Sequence, residues 1–376
     1  MTFSLDALRR WPDVEGPDLV ASDAADRLIL DESAADRAGV ADGGLVVIGD
    51  AYGALTLGAA DAGARGIRVH QDALTGERAL AANAARFGLD GAFVSLPLDA
   101  ELVRGARVVL LRLPRSLDAL RDIAGLIAAH AAPDVVVYAG GRLKHMTLAM
   151  NDVLGAHFIR VDVSHARQKS RVLIARGPHD GRDPEPERRK HGDLVLCAFG
   201  GAFAGASLDI GTRFLLEHLP AEIPGDTAVD LACGTGAVAA SLALRHPDLR
   251  VYATDQSAAA VASARATARA NGVADRIEVV RDDILDSVPD ESARFIALNP
   301  PFHSGAAVHD KLAPRMFADA ARVLQPGGEL WTVWNSHLRY RPALSRLVGT
   351  TRQVARNAKF TVTVSVRRAE LRHALR

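Results

Sequence analysis

Short apolar runs alternate with longer alanine-rich stretches along most of the chain, a pattern typical of βαβ units. In the second half this pattern predicts two helices, at Ala237–Arg245 and Ser257–Asn271, and six strands, at Thr227–Cys233, Arg250–Thr254, Ile277–Arg281, Phe295–Leu298, Glu329–Val333 and Thr361–Val366. The last strand alternates strictly between apolar and polar residues, so it is expected to be half buried. The second half is therefore predicted to be an α/β domain built on a largely parallel sheet.

The first half of the chain repeats this plan. Leu45–Ile48 is predicted as a strand that enters a turn at Gly53. Asp72 follows Gly53 at a spacing of 19 residues, which is also the spacing from Gly236 to Asp255 in the second half. Two α/β domains of similar topology, derived from a duplication, are the economical interpretation; a coincidence between two generic α/β patterns is the alternative.

A seam separates the two halves at Gly177–Gly192. This segment is rich in proline, glycine and charged residues and shows no hydrophobic periodicity, which is typical of an exposed linker. We therefore predict a first domain at residues 1–177, a linker at residues 178–192 and a second domain at residues 193–376.

Composition narrows the class of protein. A chain of 376 residues with 48% hydrophobic and 24% charged residues can bury a core in each of two domains. Its formal net charge is zero, so any surface for nucleic acid has to be local. Two cysteines are too few for a disulfide framework or a cysteine-based metal site, and no metal is expected. Apolar runs are broken well before membrane-spanning length, so no membrane association is expected and a cytoplasmic location is predicted.

The segment Asp230–Gly236 ends the first predicted strand of the second half. Glycines at 234 and 236 allow a tight turn and the close approach of a ligand to the backbone. With Ala239 they also fit the fingerprint of a dinucleotide site, for which the acid at 255 would hold a ribose. A carboxylate at Asp230 favours a different ligand, because it would repel a pyrophosphate but face the cationic methionine part of S-adenosylmethionine.

A second motif, Asn299-Pro300-Pro301-Phe302, ends the strand predicted at Phe295–Leu298. Two consecutive prolines remove two backbone donors, which leaves the Asn299 side chain and nearby carbonyls as acceptors. A planar exocyclic amine presents two N–H donors to such acceptors, and its lone pair then points toward a sulfonium methyl. Phe302 offers a face on which a base can stack. In the order glycine loop, acid, Asn-Pro-Pro-Phe, the motifs predict an N-methyltransferase.

These motifs, in this order, resemble those of class I S-adenosylmethionine-dependent methyltransferases. The whole chain resembles the two-domain ribosomal RNA guanine-N2 methyltransferases, of type G for large-subunit RNA and type C for small-subunit RNA. The segments that carry this resemblance are Gly201–Leu216, Asn299–Gly305, Trp334–Arg341 and Asn357–Phe360, of which the last two favour type G. The resemblance implies two tandem Rossmann-like methyltransferase domains, the N-terminal one degenerate and the C-terminal one catalytic.

The resemblance also implies roles for individual residues. The methionine end of the cofactor would be held by Asp230, Ala232, Gly234 and Gly236, its ribose by Asp255 and its adenine amine by Asp282, with Asp283 as the competitor for that last role. The target base would be held by Asn299, Pro300, Pro301 and Phe302. His303 is expected to position the substrate or support the structure, because methyl transfer to a neutral amine needs no general base.

The first copy differs at the positions that carry this chemistry. Alignment on its glycine and its proline places Val47 at the position of Asp230, Ala51 at that of Gly234, Arg112 at that of Asn299 and Arg115 at that of Phe302. The first domain is therefore predicted neither to bind the cofactor nor to catalyse. It is either a scaffold or a surface that holds RNA through Arg112, Arg115, Arg142, Lys144, His145, Arg167, Lys169 and Arg171.

The leading hypothesis is thus methylation of guanine N2 in ribosomal RNA, more specifically in large-subunit RNA. Ten lysines or arginines from Arg339 to Arg376, against the single acid Glu370, fit contact with phosphates, although a solvated basic tail has the same composition. The alternatives are the small-subunit enzyme, methylation of adenine N6 or of a protein glutamine, and an RNA-binding assembly factor that retains an inactive cofactor pocket.

Overall fold

The computed structural model describes residues 2–301 and 306–368, with only the backbone described at 306–310. The chain divides into two compact units. The first consists of Met1–Glu185 with Phe199–Gly201, and the second of Pro186–Ala198 with Ala202–Arg376. Each unit contains a seven-stranded sheet. Within the described residues, no helix combines the length and the apolar character needed to cross a membrane.

The first unit is an α/β fold whose sheet has the strand order β3-β2-β1-β4-β5-β7-β6. Its strands are β1 (Leu45–Ile48), β2 (Ile67–His70), β3 (Phe93–Ser95), β4 (Val108–Arg112), β5 (Val136–Arg142), β6 (Phe158–Val163) and β7 (Ser170–Pro178). Its helices are α1 (Ala24–Glu32), α2 (Ala34–Ala38), α3 (Ala54–Asp61), α4 (Leu74–Phe87), α5 (Ala100–Val103), α6 (Leu117–His130) and α7 (Ala149–Gly155). Strands β1 to β5 are parallel, and β7 is antiparallel to both neighbours.

The second unit opens with a hairpin of β8 (Glu187–His191) and β9 (Leu194–Ala198), followed by a sheet of order β12-β11-β10-β13-β14-β16-β15. The strands of this sheet are β10 (Thr227–Leu231), β11 (Arg250–Asp255), β12 (Ile277–Arg281), β13 (Ala293–Leu298), β14 (Leu324–Asn335), β15 (Gly349–Arg356) and β16 (Phe360–Arg367). The helices are α8 (Ile210–Leu216), α9 (Ala237–Arg245), α10 (Ala258–Ala270), α11 (Ala306–Val323) and α12 (Arg341–Leu347). Strand β16 is antiparallel to β14 and β15.

The two sheets have the same topology, which confirms the prediction of two Rossmann-like domains. The central strands β1 and β10 are almost entirely buried, because apolar clusters lie on both faces of each sheet. This double burial explains why these strands appear in the sequence as continuous apolar runs. The carboxyl ends of β10, β11 and β13 meet at one edge of the second sheet, and the two predicted motifs follow β10 and β13 there.

The segment predicted as a linker contains regular structure. Its residues 187–191 form β8, which pairs with β9 across a turn at Gly192. The hairpin is tied to α10 through the Asn271 side chain, whose Nδ2 donates to the Val195 carbonyl at 2.7 Å and whose Oδ1 accepts from the Val195 amide at 2.9 Å. Four consecutive charged residues hid this strand, since an exposed edge strand needs no apolar alternation.

Strand β16 is buried on both faces, whereas the sequence predicted it to be half buried. Thr363 and Ser365 are fully buried together with the apolar residues between them. Hydroxyl pairs make this burial possible: Ser365 Oγ lies 2.9 Å from Thr351 Oγ1, and Thr361 Oγ1 lies 2.8 Å from Ser336 Oγ. The polar positions of this strand are therefore covered rather than solvent-facing, and the hydroxyls of Thr361 and Ser365 are satisfied within the sheet.

Strand pairing corrects the alignment of the second acid in the first unit. The residue that follows the last pairing with the central strand is Asp255 in the second unit and Gln71, rather than Asp72, in the first. Gln71 Nε2 donates to the carbonyls of Asp50 and Ala51. An amide already bonded to the turn therefore stands where the second unit has a carboxylate.

A carboxylate at the start of the first unit's helix was also missed. Alignment by position placed Val47 opposite Asp230, but Asp50, within the turn, accepts from the amides of Leu55 at 3.2 Å and Thr56 at 2.8 Å. Thr56 lies three residues after the left-handed glycine that precedes α3. The acid of the first copy has thus been retained at a different position of the loop.

Arg112 occupies the end of β4 and forms a network with two carboxylates. Its guanidinium donates to Asp23 at 2.8 Å and to Asp26 at 2.7 Å. Burial raises the pKa of Asp26 to about 6, against the attraction of Arg112, which lowers it. Arg112 is therefore engaged inside the unit, where its guanidinium stabilises the fold. For this residue the network favours the scaffold alternative over the RNA-holding surface.

Replacement of Arg112 by alanine should destabilise the first unit by about 3–5 kcal/mol, because it leaves two partly buried carboxylates unpaired. The loss should be smaller near pH 6 than at pH 8, because the pKa of Asp26, about 6 beside Arg112, rises further in the variant, where the carboxyl takes up a proton and sheds its charge as the pH falls. Thermal unfolding across pH, with hydrogen exchange locating the change in residues 1–185, measures both effects.

The matched control is Arg107→Ala, which removes a solvent-exposed ion pair with Asp134 from the same unit. Such pairs contribute about 1 kcal/mol or less. Equal losses for the two variants, or a loss for Arg112→Ala that does not change between pH 5 and pH 8, would contradict the buried network.

Candidate active site

The loop after β10 adopts an uncommon backbone conformation. Ala232, Gly234 and Gly236 all have positive φ, at 58°, 53° and 76°. A Cβ on Gly236 would lie 2.9 Å from the Ala264 Cβ, so glycine is required there for α9 and α10 to pack. A Cβ on Gly234 would meet no heavy atom of the described residues within 4 Å, so this glycine borders open space instead. Gly236 is thus needed for helix packing, whereas Gly234 leaves space in which a ligand can approach the backbone.

Asp230 lies beneath this loop at the end of β10 and is 3% exposed. Its Oδ2 accepts from the amide of Ala239, in the first turn of α9, at 2.9 Å. Burial raises the pKa of the Asp230 carboxyl to about 7; the Ala239 amide opposes this rise, and the charge of Asp255 adds to it. The group therefore ionises near neutrality, where a nearby cation would favour its charged form.

Asp255 ends β11 and connects the loop to the next helix. Its Oδ2 accepts from the Gly234 amide at 3.0 Å, and its Oδ1 accepts from the Ser257 amide at 2.9 Å. Ser257 in turn caps α10. The sequence predicted a carboxylate at this point for a ligand; it did not predict that the same carboxylate holds the glycine loop in its left-handed conformation.

Two consecutive buried acids follow β12. The amide of Asp282 donates to the Asp255 carbonyl at 3.0 Å, which places Asp282 beside the end of β11. Its Oδ2 accepts from the amide and the hydroxyl of Ser287, at 2.9 and 2.7 Å. Asp283 forms an ion pair with Arg315 at 3.3 Å. The two acids therefore differ in charge environment, since only Asp283 has a cationic partner among its described contacts.

Asn299 follows β13, and its side-chain amide is held in one orientation. Its Nδ2 donates to Asp209 Oδ2 at 3.1 Å and to Thr212 Oγ1 at 2.9 Å. A carboxylate can only accept, so these bonds fix the nitrogen toward Asp209 and the oxygen away from it. The Asn299 Oδ1 is buried, and no donor in the described part of the chain reaches it. An oriented, unsatisfied acceptor of this kind points to a missing donor.

The partners of Asn299 come from the start of α8, far away in sequence. Asp209 caps this helix by accepting from the Thr212 amide at 2.9 Å. Between them, a Cβ on Gly211 would lie 3.0 Å from Asp209 Oδ2 and 3.2 Å from the Phe360 ring. Both residues lie in the segment Gly201–Leu216, which carries the family resemblance, but no role was predicted for Asp209 or Thr212. Their signal was an aspartate in the capping position three residues before a threonine.

The rest of the Asn-Pro-Pro-Phe motif is described only in part. Pro300 is buried and Pro301 is exposed, directly beyond the end of β13. Phe302 and His303, which were predicted to contact the base, lie outside the described residues. Among the side chains described, those of residues 2–301 and 311–368, no group of three histidine, cysteine or acidic residues is arranged to hold a metal.

Comparison with protein families assigns both halves of the chain. Residues 193–364 match the Methyltransferase small domain family, and residues 2–179 match the RLMG N-terminal domain family. The glycine loop and Asn299 both lie within the first of these matches.

Individual proteins are similar over nearly the whole length. The ribosomal RNA large subunit methyltransferase G of Streptomyces avermitilis is 37% identical, over 96% of this chain and 97% of its own length. The protein of the same name from Shewanella amazonensis is 34% identical, over 96% of both chains.

Among solved structures, a 16S rRNA N2 methyltransferase of T. thermophilus, in complex with AdoMet and guanosine, aligns with a TM-score of 0.75. The alignment covers 97% of this chain and 100% of the other, at 20% identity, so the likeness concerns the two-domain fold.

Proposed function

Since the chain belongs to the family of ribosomal RNA large subunit methyltransferases G, and is a methyltransferase that uses S-adenosylmethionine, we propose that it methylates the exocyclic N2 amine of a guanine in large-subunit ribosomal RNA. The observation that carries this proposal is the buried Asn299 Oδ1, oriented and lacking a donor among the described residues. An exocyclic amine supplies the missing donor. A cytoplasmic location, where ribosomes are assembled, belongs to the same proposal.

The loop side of the site fits S-adenosylmethionine. Open space in front of Gly234 leaves room for a ligand against the backbone, and the buried Asp230 carboxyl suits a cationic methionine end. Asp255 stands at the end of the neighbouring strand, where a carboxylate can accept from ribose hydroxyls. For the adenine amine we propose Asp282 rather than Asp283, because Asp283 is already paired with Arg315. When bound, the cofactor supplies an electrophilic methyl group.

Asn299 orients the amine that attacks this methyl group. In the proposed arrangement its Oδ1 accepts one N–H, a backbone carbonyl of the Asn-Pro-Pro segment accepts the other, and the nitrogen lone pair is left facing the cofactor. The Asp209 carboxylate makes Oδ1 a better acceptor, because its negative charge polarises the Asn299 amide through Nδ2. The amine attacks as a neutral group, so the chain needs no general base, and the methylated nitrogen afterwards passes its proton to solvent.

The target base has to leave its stack to reach this edge of the sheet. Pro300 and Pro301 support the approach, since neither contributes an N–H that would compete for the acceptors. We keep Phe302 as the proposed stacking surface and His303 as a residue that positions the substrate.

Incubation of the protein with labelled S-adenosylmethionine and unmodified large- and small-subunit RNA tests the function. Label is expected in the large-subunit RNA alone, as N2-methylguanosine at one position located by mass spectrometry. Label on adenine, or in small-subunit RNA alone, would replace the proposed substrate with one of the alternatives. An Asn299→Ala protein serves as the control for contaminating activity.

Asn299→Ala should lower turnover by about 10²–10³-fold, the scale for loss of one oriented transition-state contact, with cofactor affinity near that of the wild type. Asp209→Asn should also lower turnover, because a neutral asparagine side chain at this position loses the charge-assisted hydrogen bond that orients the Asn299 amide. Single-turnover kinetics beside calorimetric titration of the cofactor separates the two quantities. A fall of less than a few-fold for Asn299→Ala would remove it from the amine-orienting role.

Cofactor affinity should rise with pH up to about pH 7 and then level off. Free Asp230 titrates with a pKa of about 7, and a bound cation favours its ionised form, so binding below pH 7 has to release a proton. Release of one proton allows the cofactor affinity to change by at most about tenfold per pH unit. In Asp230→Asn this slope should vanish and affinity at pH 8 should be lower. Calorimetry in buffers of different ionisation enthalpy counts the released proton, and a wild-type affinity that is flat from pH 5.5 to 8 would refute the assignment.

A further inference from the structure

A concavity of about 300 Å³ lies in the second unit, on the face of β14, β16 and β15 opposite to α8. We call it the arginine groove. Its lining consists of Trp334, Ser336, Arg339, Arg341, Pro342, Gln353, Arg356, Thr361 and Thr363. None of these residues belongs to the glycine loop, the acids or the Asn299 cluster described above.

The groove concentrates uncompensated positive charge. Arg339, Arg341 and Arg356 are all exposed, and none of them hydrogen-bonds or ion-pairs with a described residue. From Leu330 to Arg368 the sequence contains no aspartate or glutamate. Arg322 of the same unit, by contrast, is paired with two aspartates. A lining of three free guanidinium groups attracts anions, and phosphate is the anion that their forked geometry binds best.

A β-bulge directs one of these arginines into the groove. Gln353 pairs with Thr363, and Arg356 pairs with Thr361. The chain advances by three residues in β15 between these pairs but by only two in β16, so β15 contains one extra residue. The extra residue lies between Gln353 and Ala355. Without it, alternation along the strand would turn Arg356 to the opposite face of the sheet.

The floor of the groove contains a polar atom without a partner. Thr363 is fully buried, and its Oγ1 has no hydrogen bond to any described residue. The neighbouring Thr361 is satisfied, since its Oγ1 lies 2.8 Å from Ser336 Oγ. A buried hydroxyl that can donate, beneath three cations, is suited to an anionic oxygen.

The groove lies close to the site of methyl transfer. Leu298, which precedes Asn299, pairs with Thr332 of β14, and Thr332 pairs with Thr363 of β16. Leu298 is therefore two strand spacings of about 4.8 Å from Thr363 on the floor of the groove, a distance on the order of 10 Å. A nucleic acid chain whose target base reaches Asn299 has neighbouring phosphates within this range.

We propose that the arginine groove binds the phosphodiester backbone of the single-stranded RNA beside the target guanine. The proposal rests on the function proposed above. Phosphate contacts position a nucleic acid without reading its sequence, and here they would hold the strand while the base is turned out of its stack. The groove would thus contribute affinity for RNA, and the Asn299 cluster would determine which atom of the base is methylated.

The test compares two arginines of one strand in the full-length protein. Arg356 lines the groove, whereas Arg352 pairs with Val364 and projects from the other face of β15. Both side chains are exposed, so neither change should impair folding. For Arg356→Ala, affinity for a single-stranded RNA that contains the target site should fall several-fold, and the slope of log affinity against log salt should shrink by about 0.7, the value for one phosphate contact. Arg352→Ala should leave both near wild type.

Removal of all three groove arginines should reduce the slope by about 2 while cofactor affinity stays unchanged, and their replacement by lysine should restore most of it. A wild-type slope in the triple variant, or equal losses for Arg352→Ala and Arg356→Ala, would overturn the proposal. The proposal would also be overturned if inorganic phosphate bound to the groove while the arginine variants kept wild-type affinity for RNA. That outcome would identify the groove as a site for free phosphate. RNA binding is measured without methyl transfer, so failure of the groove is distinguishable from failure of the proposed reaction, which the mapping of labelled RNA decides.

Discussion

The orientation of one amide is the constraint on which the catalytic unit depends. Asn299 can present its oxygen only if Asp209 and Thr212 hold its nitrogen, and these three residues come from a strand end and a helix start that are about ninety positions apart in the chain. The helix start is itself fixed by the bond from the Thr212 amide to Asp209, so one carboxylate caps the helix and directs the amide. A buried polar cluster of this kind specifies its geometry strongly, because each alternative arrangement leaves a donor or an acceptor unsatisfied.

The two units show how the same strand end can serve opposite purposes. In the second unit the residue after β13 is an asparagine whose amide nitrogen is bound by a carboxylate while its oxygen has no donor among the described residues. In the first unit the end of β4 carries a guanidinium that is paired with two carboxylates. Both units have an acid that accepts from the first turn of the following helix, Asp230 near the end of β10 and Asp50 within the turn after β1, since each helix needs an acceptor at its start. What distinguishes the active copy at this strand end is therefore the unmet hydrogen-bonding capacity of the Asn299 oxygen.

The sequence was sufficient for the parts of the structure that local pattern determines. The central strands are continuous apolar runs, and the helix after the glycine loop begins at Ala237 as predicted. Features that depend on distant pairing were missed. The role of Asp209 becomes visible only when α8 meets β13, and the equivalence of Gln71 with Asp255 follows from strand register rather than from residue counting. The burial of Thr363 and Ser365 was likewise not predictable, because nothing local shows that their face of the sheet is covered.

The bulge in β15 makes the arginine groove sensitive to the length of the chain as well as to its chemistry. A substitution at Val354 changes one side chain, but a deletion there would restore strict two-residue alternation and move Arg356 to the other side of the sheet. The face on which Arg356 lies is therefore determined by whether an odd or an even number of residues separates it from Gln353. Among proteins of this architecture, a one-residue gap in this hairpin would separate those with a basic groove from those without one, even where every arginine is kept.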